Sequence, residues 1–152
     1  MTICFLIVFF QDYKERLVHW FLFPLIAVFG GILFYQSSER TLFMVSIAMN
    51  TVFILSLLFV IMVYARIKLR TGLLKVIGLG DLLLFMGLSV SFAPLSFITL
   101  FVAALVFSLI LHLYLSKGRK GVTVPLAGYM SLFFLISHLI VWSGYGNIVY
   151  TF

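Results

Sequence analysis

Residues Lys75–Phe85 read KVIGLGDLLLF. Two glycines and an aspartate, Gly78, Gly80 and Asp81, stand at the head of a leucine run. A carboxylate here needs a reason, because the run after it has the length and composition of a buried or membrane-embedded helix. Of the 152 residues only four are acidic, and two of those are the aspartates Asp12 and Asp81. Both border long apolar segments.

Composition sets the frame. The chain is 64% hydrophobic and 9% charged, with a mean hydropathy of +1.28. A soluble domain carries about 25% charged residues. The polar surface is too small to cover a water-soluble globule, so the expected class is an integral membrane protein. The length suits one compact bundle, a single domain over residues 1–152. One cysteine, Cys4, excludes an internal disulfide and a Cys-rich zinc module. The net charge of +6 is read as a topology signal and not as a nucleic-acid footprint. The N-terminal stretch MTICFLIVFFQDYKERL lacks a basic residue before its apolar run and a small-residue cleavage site after it, unlike a cleavable signal peptide.

A spanning helix needs roughly 17–25 apolar residues. Six helical segments are expected, at about 2–12, 19–35, 42–65, 79–92, 95–115 and 124–142; the first and fourth are short. The aromatic tail SGYGNIVYTF is expected at an interface. Charges separate on this scheme. Lys14 and Arg16 fall in the first connection, Arg66, Lys68, Arg70 and Lys75 in the third, and Lys117, Arg119 and Lys120 in the fifth. Arg40 stands alone on the other side. Lys and Arg concentrate on cytoplasmic loops, so these three connections are expected in the cytoplasm, in a multi-pass protein of the cell's inner (plasma) membrane with both termini outside.

Asp12 then ends the first helix and Asp81 begins the fourth, both at the cytoplasmic end. Intramembrane carboxylates are costly, and they are functional candidates by default. Two that meet cannot both ionise freely and can share a proton. Such a pair hydrolyses peptides: one carboxylate takes a proton from water while the other donates to the carbonyl. Gly78 and Gly80 let the backbone bend and let a neighbour approach. Each aspartate also has a plainer reading, Asp12 as an interfacial residue beside Lys14 and Arg16, and Asp81 as a helix cap.

IGLGD at Ile77–Asp81 resembles the GxGD motif of intramembrane aspartyl proteases, and the nearest branch is the type IV prepilin and preflagellin peptidases. FFQDYKERLVHWFLFPLIAV (Phe9–Val28) is similar to that family's first-aspartate segment, and KGRKGVTVPLAGYMSLFF (Lys117–Phe134) to its basic loop and Pro-containing last helix. The resemblance implies Asp12 and Asp81 as the catalytic dyad, Gly78 and Gly80 as motif glycines, and cleavage of the leader of a prepilin-like membrane protein at the cytoplasmic face. It implies neither metal nor cofactor. Departures are Leu83, where many members carry Lys, and Val18-His19-Trp20, where many carry Ile-Pro-Asn. The family's N-terminal cysteine domain has no counterpart, so no methyltransferase activity is expected. The other readings are a small proton- or cation-coupled transporter subunit and a catalytically inactive assembly partner.

Among the remaining residues, Asn50 is expected to hydrogen-bond between helices, and Gly30, Gly31 and Gly87 to let helices pack closely. Pro24 is expected to kink its helix, and Pro125 to stand at a helix start. His19 is read as interfacial. His112 and His138 lie toward opposite ends of their helices, with no metal expected between them.

Overall fold

The computed structural model describes residues 1–14, 18–70, 72, 77–115 and 125–140. Six α-helices make up the described residues, and there is no strand among them. They are α1 (Thr2–Lys14), α2 (Leu22–Ser37), α3 (Arg40–Tyr64), α4 (Leu79–Ser89), α5 (Pro94–Leu115) and α6 (Leu126–Ile140). The all-α expectation holds for these residues. Val124, Trp142 and the aromatic tail lie outside them.

The third helix runs further than expected. After Tyr64 it continues as a π-helical turn, Ala65–Leu69, closed by Arg70 in the left-handed region at φ 51°. Its N–H bonds Ala65 O. Arg66 and Lys68, expected in the connection after this helix, instead prolong it with exposed side chains. Proline 24 does not interrupt a helix interior. It is the third residue of α2, in the first turn, where the amide has no intrahelical acceptor to lose.

Two helices are long and apolar enough to cross a membrane, Arg40–Leu69 and Pro94–Leu115. The other four are apolar but shorter. Only 22% and 28% of the apolar windows of the two long helices are buried. A core helix of a soluble protein is covered on most sides; these leave residues such as Val52, Phe59, Val60 and Leu109 facing outward.

Phenylalanine rings fill the interior. Phe5 of α1 stacks on Phe134 of α6 at 5.7 Å, and Phe134 stacks on Phe92 at 5.8 Å. In a second cluster, Phe85 of α4 meets Phe101 of α5 edge-on at 4.9 Å, and Phe53 of α3 meets Phe97 and Phe101. Offset and edge-to-face geometry suits the ring quadrupole and adds to burial. Two glycines bring the elements together. A Cβ on Gly30 would lie 2.0 Å from Ser91 Oγ, and one on Gly87 would lie 3.1 Å from Phe23 O, so α2 and α4 touch at nearly backbone distance.

Asn50 carries out the role expected of it. Buried in α3, its Nδ2 donates to Ser89 O at 2.9 Å and to Phe92 O at 2.8 Å. These carbonyls belong to the end of α4 and the turn into α5. Replacing Asn50 with leucine removes both donors. A buried carbonyl without a donor costs about 1–3 kcal/mol, and interhelical bonds in membranes average about 0.6 kcal/mol. The expected loss is about 1–2 kcal/mol, read as a lower midpoint in detergent-induced unfolding. An unchanged midpoint would show that the turn finds other donors.

Candidate functional site

Three helix ends meet at one end of the bundle: the last turn of α1, the first turn of α4 and the first turn of α6. α1 and α4 both pack against α6. Asp12 lies in the last turn of α1, and Asp81 is the third residue of α4. Both are half-buried.

The two carboxylates converge on α6. Asp81 Oδ1 accepts the Ala127 N–H at 2.7 Å, and Asp12 Oδ2 accepts the Gly128 N–H at 2.5 Å. Ala127 and Gly128 are adjacent, so one step along the backbone, about 3.8 Å between Cα atoms, separates the two docking points. Both carboxylates are thus held at neighbouring peptide groups of one helix end. Gly78, not Asp81, is the cap residue of α4, and the Asp81 carboxylate bonds a second helix.

The motif glycines differ in their surroundings. Gly78 is extended (φ −62°, ψ 150°) and exposed, and a Cβ there would stand 3.3 Å from Asp81 Oδ2. Gly80 faces the Phe23 ring, and an added Cβ would meet Cζ at 3.7 Å, an ordinary contact. The crowded glycine of the site is Gly128, where a Cβ would lie 3.0 Å from Asp12 Oδ2 and 3.1 Å from Asp12 Cβ. Sequence reasoning passed over Ala127 and Gly128. The available signal was a pair of small residues just after Pro125 at a helix start.

Around the pair, Gln11 Oε1 accepts the His19 N–H at 3.1 Å, which ties His19 to the last turn of α1. The His19 side chain is exposed and lies near Phe21, with ring centroids 5.5 Å apart. Lys14, Arg66, Lys68 and Arg70 are exposed at this same end, and Arg40 begins α3 at the opposite one. Leu83 is partly buried against the core. His112 of α5 lies 6.3 Å from the Tyr129 ring of α6, and His138 stands edge-on to Phe5 at the far end of α6. No group of three or more His, Cys, Asp or Glu side chains suited to a metal occurs among the described residues.

Chemically, the site offers two carboxylates held at short range by backbone donors at the end of a helical bundle. No protein-family model, curated protein or solved structure matches this chain.

Proposed function

We propose that the chain is an intramembrane aspartyl endopeptidase of the prepilin peptidase type, with Asp12 and Asp81 as its dyad. The observation that carries this reading is the docking of both carboxylates on the consecutive amides of Ala127 and Gly128. Capping one helix end does not by itself call for two carboxylates brought from two other helices, whereas general acid–base work on a peptide bond needs two carboxylates at one reacting centre. One carboxylate activates water and the other protonates the carbonyl oxygen of the scissile bond. The substrate segment must be extended there, because a helix turns its carbonyls along its own axis.

In this reading all six helices sit in the bilayer, and the end with the dyad faces the cytoplasm of the inner membrane. The exposed apolar faces of α3 and α5 support the embedding. Lys14, Arg66, Lys68 and Arg70 at the dyad end support the orientation. The substrate is a membrane protein with a prepilin-like leader, cut just before its hydrophobic segment. A transporter places its carboxylates part-way along a through-path; both aspartates here lie in terminal turns, which favours the peptidase.

The test uses the full chain in liposomes with a purified prepilin-like substrate. The expected result is a gel shift of the substrate, with the new N-terminus placed by sequencing at the start of the hydrophobic segment. An intact substrate across a panel of such leaders sinks the proposal.

A further inference from the structure

We propose that the first turn of α6 is the positioning element of the aspartate pair, and that Gly128 is its positioning residue. This inference rests on the peptidase reading for its catalytic meaning, and its structural half stands alone.

The first amides of a helix have no intrahelical acceptor and are usually capped by a side chain next to them in sequence. Here the residue before α6 is Pro125, which has no acceptor side chain; its carbonyl takes the Tyr129 N–H at 3.1 Å and starts the helical ladder. The Ala127 and Gly128 amides are instead capped by Asp81 and Asp12, from two other helices. This arrangement has three consequences. The spacing of the two accepting oxygens follows the spacing of neighbouring peptide groups, set by the trans peptide and the helical backbone. The partial positive charge of the helix N-terminus lies beside both carboxylates and offsets their mutual repulsion. The relative position of α1 and α4 at this end is relayed through α6, on which both pack.

Gly128 makes the docking possible. An added methyl would stand 3.1 Å from Asp12 Cβ, which is fixed to the α1 backbone and cannot rotate away. Alanine at 128 therefore pushes the ends of α1 and α6 apart and lengthens the Asp12 bond. Ala127 is tested from the other direction. Proline is tolerated in the first helical turn, and it removes the amide that Asp81 accepts.

Two measurements on the full chain test this. In the first, ¹H–¹⁵N correlation spectra in detergent micelles compare the wild type with Asp12→Ala and Asp81→Ala. The Gly128 amide proton is expected to shift on Asp12→Ala and the Ala127 amide proton on Asp81→Ala. Amide resonances unmoved by loss of their own aspartate overturn the docking, whatever the enzymology shows. In the second, Gly128→Ala and Ala127→Pro are assayed for substrate cleavage. Each is expected to lower kcat with KM unchanged; the crowding at Gly128 displaces Asp12 by less than the about 1 Å that costs about 100-fold, so Gly128→Ala is expected to lose roughly 10-fold. The same spectra report that each variant is folded. A folded Gly128→Ala variant with wild-type kcat overturns the positioning role. A wild type that cleaves no leader removes the peptidase reading and the catalytic half of this inference, and the spectra still decide the docking.

Discussion

Asparagine at either position 12 or position 81 is expected to abolish cleavage while leaving the fold in place. The substitution is nearly isosteric. Its side-chain oxygen still accepts the Gly128 or Ala127 amide, so the hydrogen bonds that hold α1 and α4 on α6 persist. Ionisation is what disappears, and with it the ability to take a proton from water or return one to the substrate. General acid–base catalysis by one positioned group contributes on the order of 10²- to 10⁴-fold, so each single variant should lose at least that much in kcat. The two groups act as a unit, and the double variant should be little worse than either single one, since effects within one catalytic unit are not additive. Unfolding midpoints in detergent serve as the control, and they should move by less than about 1 kcal/mol. Activity surviving in either single variant would break the dyad. Activity lost together with the fold would assign the aspartates to structure alone.

The location of the pair was legible in the sequence because it follows from helix ends and charge. Apolar runs flanked by Lys14 on one side and Gly78-Leu79-Gly80 on the other put Asp12 at the close of one helix and Asp81 at the opening of another. Their meeting point was not legible. It consists of backbone amides, and Ala127 and Gly128 carry no functional side chain to attract notice. The glycines were assigned by motif, yet a Cβ on Gly80 would meet Phe23 at ordinary distance while one on Gly128 would crowd Asp12. Close approach is a property of two surfaces, and a one-chain pattern records only one of them. The π-helical turn was missed for a related reason. Ala65–Leu69 contains Arg66 and Lys68, and charge at the end of an apolar run reads as a loop, although the backbone continues to wind beneath exposed cationic side chains. Pro24 misled in the opposite sense: its cost depends on its distance from the helix start, and α2 begins at Leu22.

The largest expected loss of stability falls at Gly30, on the seam between α2 and the end of α4. A Cβ there would lie 2.0 Å from Ser91 Oγ and 2.6 Å from Ser91 Cβ. The hydroxyl can rotate, but the Cβ cannot, so Gly30→Ala must separate the two elements. Ser91 is buried and bonds Gly87 O at 3.2 Å, which leaves it little freedom to yield. Overpacking of this kind costs about 1–3 kcal/mol, more than the roughly 1 kcal/mol that alanine gains over glycine in helix propensity. Unfolding in detergent should show the net loss directly. The cause is separable by a second substitution. Ser91→Gly removes both clashing atoms and is expected to be mildly destabilising alone, through the lost bond to Gly87. Combined with Gly30→Ala it should restore much of the stability, a coupling of about 0.5–3 kcal/mol, the range for residues in contact. Strict additivity would show that the seam relaxes elsewhere and that the contact does not set helix spacing. The consequence reaches the dyad, because the same helix that carries Ser89 and the Asn50 bond at one end carries Asp81 at the other. A shift of α4 at the seam moves Asp81 relative to the Ala127 amide. Gly30→Ala is therefore expected to lower cleavage as well as stability, and the Ser91→Gly partner to recover both together.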